Sequence, residues 1–285
     1  MRGADRPAVL LVGHGSRSAR GIAAYWEFAK VVRSQAPHLD IGCGFIELAE
    51  PDLDTAVDQL IGKGASSVVA VPLVLLGAGH LKNDGPAALA RGRHRYPGVH
   101  FAYARDLGIH PAPLAVAEAR IRDATAGWPK DGTAVIIVSR GSTDPDANAD
   151  LYKVARLLWD GRGLELVEPA FVSLAPPSVP EALDRCRRLG AARVAVVPYF
   201  LFTGVLVDRI GAQAAAWAAD HGELRVAVGS ELGPDPRLAQ LVLERYHEAI
   251  EGDVRMNCDL CAYRTALPGY EGRVGRPLAV HPHRH

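Results

Sequence analysis

The feature that most constrains the fold of this chain is an internal duplication. Residues 9–16 (VLLVGHGS) match residues 135–142 (VIIVSRGS), which sets an offset of 126 positions. Two further blocks keep that offset: 45–51 (FIELAEP) with 171–177 (FVSLAPP), and 71–76 with 197–202. Blocks that share one register without a gap predict two copies of one structural unit.

Each copy shows the same order of predicted elements, in which apolar strands alternate with helical stretches. Valine-rich strands are predicted at 67–75 and 193–201, and amphipathic helices at 23–32 and 179–189. The candidates for a fourth strand are 100–104 and 224–228. Because this alternation is typical of parallel sheets with crossover helices, we predict an α/β protein of two tandem flavodoxin-like domains.

Glycines and a proline between residues 125 and 132 interrupt the pattern and place the domain boundary there. We therefore predict an N-terminal domain of residues 1–127 and a repeat domain of residues 128–250. A short extension, 251–285, follows the repeat and ends in a run that contains three histidines.

The composition argues against several classes of function. The 32 Lys and Arg residues balance 32 Asp and Glu residues, whereas nucleic-acid binding and polybasic membrane association both need an excess of positive charge. The apolar run at residues 9–12 is too short for a signal peptide or a membrane span. We expect a cytoplasmic protein with no nucleic-acid or membrane partner.

Polar residues follow three predicted strands of the first copy. His14 follows the first strand, Glu47 and Glu50 follow the second, and His80 follows the third. Ligands of open parallel sheets bind beyond the carboxyl ends of the strands, and the glycines beside both histidines would let a bulky ligand approach the backbone. Two neutral imidazoles suit cobalt, nickel, iron or zinc and leave coordination positions open for a substrate.

The second copy has lost every one of these side chains. The replacements are Arg140 for His14, Leu206 for His80, Ser173 for Glu47 and Pro176 for Glu50. A lone histidine after a strand is more often a residue that hydrogen-bonds its own loop. Two histidines that occur at crevice positions in one copy and not in the other predict a single metal site in the first half.

These segments resemble the small ATP-independent tetrapyrrole chelatases, in particular the long form of sirohydrochlorin cobaltochelatase and the related sirohydrochlorin ferrochelatase. The resemblance extends over nearly all of the chain. It is carried by residues 11–17 (LVGHGSR), 47–51 (ELAEP), 68–73 (VVAVPL) and 77–80 (GAGH). It implies insertion of a divalent metal, Co²⁺ before Fe²⁺, into sirohydrochlorin or a related tetrapyrrole in cobalamin or siroheme biosynthesis.

The resemblance also implies roles for individual residues. His14 and His80 hold the metal, and Glu50 joins them as a catalytic group, while the second domain covers the macrocycle across a cleft. The expected substrate contacts are Glu47, Glu50, Leu75, Leu76, Gly77, Ala78 and Gly79. Because alternate residues of an extended chain point to opposite sides, the choice between Glu47 and Glu50 as the proton acceptor stays open.

Sirohydrochlorin is a polycarboxylate, so its site needs local positive charge despite the neutral total. Arg17, Arg20 and Lys82 lie beside the two histidine loops and are the expected partners of its carboxylates. The chain has no Gly-x-x-x-x-Gly-Lys-Ser/Thr segment, which argues against a nucleotide cofactor. The alternative function is a metal or tetrapyrrole carrier without catalysis. A histidine phosphotransfer enzyme is disfavoured, because Gly13 precedes His14 where that class has arginine.

The extension carries Cys258 and Cys261, spaced as a CxxC pair. In a reducing compartment such a pair indicates a metal, cluster or redox site more often than a disulfide. Resemblance to long cobaltochelatases implies an iron–sulfur cluster there. Because two thiolates do not complete the usual ligand set, the others would come from Cys43, Cys186 or a second chain, and the last case predicts a homodimer.

Overall fold

The structure is a computed structural model of the 285-residue chain that describes residues 6–78 and 84–252. The first half contains β1 (Ala8–Gly13), α1 (Ala19–Gln35), β2 (Ile41–Phe45), α2 (Leu53–Gly62), β3 (Ser67–Pro72), α3 (Asp84–Arg95), β4 (His100–Tyr103) and α4 (Pro111–Ala124). The second contains β5 (Thr133–Ser139), α5 (Pro145–Trp159), β6 (Leu166–Phe171), α6 (Val179–Arg188), β7 (Arg193–Pro198), α7 (Val205–Asp220), β8 (Arg225–Val228) and α8 (Pro236–Glu251). None of the helices in these ranges combines the length and the apolar character needed to cross a bilayer.

The strands form two four-stranded parallel sheets of identical topology. Their orders are β2-β1-β3-β4 and β6-β5-β7-β8. The registers repeat as well, because Val9 lies opposite Ile41 and Val69, and Val135 lies opposite Val167 and Ala195. The predicted tandem α/β architecture with parallel sheets is confirmed.

The third strand of each half is shorter than the sequence pattern predicts. β3 and β7 end at Pro72 and Pro198, three residues before the predicted ends at 75 and 201. Proline has no backbone N–H to donate to a neighbouring strand. The residue after each proline makes one more bond to the central strand, Leu73 N to Val12 O and Tyr199 N to Val138 O, and the apolar residues beyond leave the sheet. Those residues form part of a cleft between the halves.

The last helix of each half packs on the other half. α4 contacts β7 of the second sheet, whereas α8 contacts α1 and β3 of the first. Arg245 of α8 is 1% exposed and donates hydrogen bonds to the carbonyls of Asp106 (2.9 Å) and Leu107 (2.7 Å). Arg120 of α4 donates to the carbonyls of Glu231 and Leu232 in return. Each sheet is therefore covered in part by the last helix of the other repeat.

One core lies between the two sheets, and each sheet has a smaller core on its outer face. The inner core combines residues of β1 and β5 with the buried faces of α1, α4, α5 and α8. α1 shows why this face forms: Ser18 caps its N-terminus, and Tyr25, Phe28, Ala29 and Val32 are buried at helical spacing. Because the inner core draws on both halves, it fixes the position of one sheet relative to the other.

Candidate functional site

A large cleft lies between the halves, at the carboxyl ends of their central strands. Its volume is about 940 Å³, which is in the upper part of the range typical of small-molecule sites. It is lined by segments that follow β1, β3, β5 and β7. The apolar lining includes Leu48, Leu73, Leu75, Leu76, Leu174, Leu201, Phe202 and Leu206. The cleft suits a large, flat ligand with apolar faces.

His14 lies at the edge of this cleft, directly after β1. Its imidazole Nδ1 is 3.6 Å from Oε1 of Glu47, and the two side chains are 34% and 46% exposed. Backbone hydrogen bonds join the two segments, because Ile46 N donates to Gly13 O and Glu47 N donates to His14 O. β1 and β2 are neighbours in the sheet, so the fold holds an imidazole and a carboxylate side by side beyond the carboxyl ends of these strands.

Glu50 lies elsewhere in the same loop. Its Oε2 accepts a hydrogen bond from Asp52 N at 3.2 Å, next to the start of α2. Asp52 in turn caps α2 through Thr55 N at 2.7 Å. Of the two glutamates that the sequence leaves open, the structure places Glu47 beside His14 and gives Glu50 a hydrogen bond at the helix start.

Three of the predicted substrate contacts in the loop after β3 line the cleft: Leu75, Leu76 and Ala78. Gly77 is not part of the lining; its N–H donates to Oδ2 of Asp106 at 3.0 Å. Burial raises the pKa of the Asp106 carboxyl, against the opposing effect of Arg105. Five of the predicted site residues fall outside the described part of the chain: Gly79, His80, Lys82, Cys258 and Cys261.

The predicted arginines divide into two kinds. Arg17 lines the cleft, whereas Arg20 forms an exposed ion pair with Asp208 on α7 and so links α1 to the second half. Arg140, which takes the place of His14 in the second copy, also lines the cleft. Within residues 6–78 and 84–252, the side chains of Arg17 and Arg140 make no hydrogen bond or ion pair, so both guanidinium groups are available to an anionic ligand.

The second half keeps the backbone frame of the site without the histidine and the glutamate. Val172 N donates to Ser139 O and Ser173 N to Arg140 O, which repeats the bonds around His14. Gly141 has φ +84°, as Gly15 has φ +95°. In the described ranges no group of three or more His, Cys, Asp or Glu residues is arranged to hold a metal. His14 and Glu47 therefore form an incomplete ligand set, and the predicted third ligand, His80, lies outside those ranges.

The sequence does not indicate most residues of the cleft lining, and three of these bear on its chemistry: Arg140, Leu48 and Leu174. The duplication predicts only the loss of a histidine at Arg140 and assigns no role to the two leucines. The duplication contained the signal for the leucines, because they are identical residues at the offset of 126. No pattern in the sequence marks an exposed leucine as a cleft residue, since single exposed leucines are common on protein surfaces.

The structure therefore defines a class of protein: two interlocked α/β halves with an apolar cleft between them, a histidine–glutamate pair in the first half and an arginine of each half in the cleft lining. Comparison with known proteins identifies the class more closely. The family model CbiX matches the chain twice, at residues 8–124 and 134–249. The chain belongs to the CbiX family.

Relatives of established name match over nearly the whole chain. The sirohydrochlorin cobaltochelatase of Priestia megaterium is 38% identical over 271 residues, which is 94% of this chain and 88% of that protein. The sirohydrochlorin ferrochelatase of Bacillus subtilis (strain 168) is 30% identical over 265 residues, 92% of this chain and 99% of that protein. The structure of SirB from Bacillus subtilis with Fe³⁺ has a TM-score of 0.78 at 29% identity and covers 87% of this chain and 98% of that one.

Proposed function

We propose that this protein inserts a divalent metal ion, Co²⁺ before Fe²⁺, into sirohydrochlorin without a nucleotide. The observation that carries the proposal is that His14, which lines an apolar cleft of about 940 Å³, lies 3.6 Å from the carboxylate of Glu47. Family membership supports it, since the named relatives are a cobaltochelatase and a ferrochelatase of this tetrapyrrole. We further propose that residues 1–127 carry the metal site and that residues 128–250 cover the cleft.

The reaction needs two kinds of group, and the His14–Glu47 pair supplies both. Metal insertion exchanges the ion's first ligands for pyrrole nitrogens and releases pyrrole protons, so the site needs weak ligands and a nearby proton acceptor. Neutral imidazole and carboxylate are exchangeable ligands for Co²⁺ and Fe²⁺. In this proposal His14, Glu47 and His80 hold the ion, and Glu47 and His14 accept the two pyrrole protons as the ion leaves them.

The arginines of the cleft bind the substrate's carboxylates. Arg17 from the first half and Arg140 from the second lie on the same cleft and carry no partner in the described ranges. Guanidinium groups bind carboxylates through paired hydrogen bonds, and these bonds fix orientation as well as affinity. The second copy has thus exchanged a metal ligand for a substrate anchor, with Lys82 as a further predicted contact.

The cysteine tail extends the proposal to a cluster and a second chain. Cys43 and Cys186 do not fit as additional ligands, because they are buried in separate cores of the molecule. Burial also raises the pKa of both thiols, that of Cys186 to about 12, which disfavours the thiolate that a cluster needs. An iron–sulfur cluster at Cys258 and Cys261 therefore needs ligands from a partner chain, and we propose a homodimer for the cluster-bound form.

The direct test is anaerobic metallation of sirohydrochlorin by Co²⁺ or Fe²⁺, followed through the visible spectrum. Wild-type protein should accelerate metallation over buffer, and His14→Ala should abolish the acceleration. His38→Ala is the matched control, because His38 is an exposed histidine outside the cleft. Sirohydrochlorin that binds but is metallated no faster than in buffer would replace the chelatase by a carrier.

A second pair of variants decides between the two glutamates. Glu47→Gln removes the carboxylate beside His14 and should slow metallation by about 10²-fold or more, the size of effect expected for a lost proton acceptor. Glu50→Gln keeps an oxygen that accepts from Asp52 N and should change the rate less than about threefold. A larger loss in Glu50→Gln than in Glu47→Gln would reverse the assignment.

A further inference from the structure

Leu48 and Leu174 are the only non-glycine residues with positive φ in the described ranges, and both have φ +63°. They occupy equivalent positions of the two repeats, one after β2 and the other after β6. Left-handed backbone is unfavourable for a branched, bulky side chain and is normally taken by glycine or asparagine. Leucine therefore occupies the same unfavourable backbone conformation in both repeats.

Both leucine side chains are exposed to solvent. Leu48 is 49% exposed and Leu174 is 57% exposed, and both line the cleft between the halves. Since neither side chain fills a core, folding alone gains little from leucine at these positions. Strained residues that the surrounding structure holds in place are a recurrent feature of ligand sites.

The backbone around each leucine is fixed by equivalent contacts. A Cβ on Gly15 would lie 1.7 Å from Glu47 O, and a Cβ on Gly141 would lie 2.0 Å from Ser173 O. The carbonyl before each leucine is thus packed against the loop that carries His14 in one half and Arg140 in the other. Each leucine has a set position relative to the metal pair or to the free arginine.

We propose that Leu48 and Leu174, the leucine pair, clamp the macrocycle of the substrate by apolar contact, one from each half of the cleft. This inference rests on the proposed function, because it concerns the same tetrapyrrole. A flat conjugated ring has apolar faces that water solvates poorly, and a leucine from each half of the cleft lining buries part of them without any hydrogen bond. The leucines then position the ring, and the arginines and the metal pair bind its polar edge and its centre.

Leu174→Asn separates this role from a structural one. Asparagine tolerates left-handed backbone and lacks the apolar contact, so the thermal midpoint should stay the same or rise. Sirohydrochlorin affinity, measured by absorbance titration without metal, should fall about tenfold, as expected for the loss of one buried leucine contact. Co²⁺ affinity should be unchanged, because Leu174 lies in the half without the metal pair.

Leu189→Asn is the matched control. Leu189 is 66% exposed, ends α6 with φ −85°, and does not line the cleft. This variant should change neither the sirohydrochlorin affinity nor the Co²⁺ affinity. The clamp would be overturned if Leu174→Asn kept its sirohydrochlorin affinity, or if it lost affinity together with a lower thermal midpoint. In either case, metallation by the wild-type protein would leave the proposed function standing. Wild-type protein that does not bind sirohydrochlorin would overturn the proposed function itself, and the clamp with it.

Discussion

At the scale of single residues, glycine is required on either side of His14 for a different reason from the one that the sequence indicates. The sequence predicts that they let a ligand approach the backbone. In the structure a Cβ on Gly13 would lie 2.7 Å from the Tyr25 ring, and one on Gly15 would meet the carbonyl of Glu47. Both glycines make room for the protein's own atoms, and Gly15 allows the His14 loop to pack on the segment that carries Glu47.

This close packing makes Gly15→Ala a sensitive variant. It combines a strained backbone, φ +95°, with a contact that cannot form, so Glu47 must move away from His14. We expect metallation to fall at least about tenfold under conditions in which circular dichroism still shows folded protein. The unfolding free energy should fall by more than that of the control variant.

Gly64→Ala is that control, because Gly64 has φ +99° and an added Cβ would find no other atom within 4 Å. It should lose only the cost of left-handed backbone, about 1–2 kcal/mol in urea unfolding, and keep full activity. Equal activity in the two variants would show that Gly15 does not hold the metal pair together.

At the scale of elements, the sequence predicts the strands and helices well but not which sheet the last helices cover. The repeat and the alternation of valine-rich strands with helices define each copy. α8 buries one apolar face, which includes Leu238, Val242 and Tyr246, but helical periodicity contains no information on the partner of such a face. The exchange of α4 and α8 depends on contacts between residues far apart in the chain, such as Arg245 with the carbonyls of Asp106 and Leu107.

The start of α8 provides a test of how much the exchanged helix stabilises the molecule. Asp235 caps α8 by accepting from Arg237 N at 2.9 Å, and its carboxylate also binds the Arg237 guanidinium at 2.9 and 2.8 Å. Burial opposes ionisation of Asp235, but the hydrogen bonds from Arg237 prevail and lower the pKa of the carboxyl. Asp235→Ala should cost about 1–2 kcal/mol of unfolding free energy at pH 7.

The pH dependence of that difference has a definite sign. A carboxyl whose pKa is lower in the folded state stabilises it above the unfolded pKa, near pH 4, and the stabilisation is lost as the pH falls through the folded value. Asp235→Asn keeps the capping oxygen. The difference in unfolding free energy between wild type and this variant, measured in urea, should therefore shrink below about pH 4. A gap of constant size from pH 7 to pH 3 would contradict the ion pair.

At the scale of the whole molecule, one backbone frame occurs twice and carries different side chains. The first copy has the His14–Glu47 pair at the carboxyl end of β1, and the second has Arg140 at the same place. The sequence predicts this asymmetry, because the ligands are missing from the second copy. It does not predict that Glu47 rather than Glu50 lies beside His14, since that depends on how the loop after β2 turns.

The central claim is a single metal site in the first half, and anomalous scattering at the cobalt edge tests it most directly. Crystals of the full chain with Co²⁺ should show a strong peak about 2.0–2.2 Å from the His14 imidazole and the Glu47 carboxylate. The peak should disappear in His14→Ala crystals. Cobalt bound only at the Arg140 loop or at the terminal histidines, with none at His14, would contradict the account.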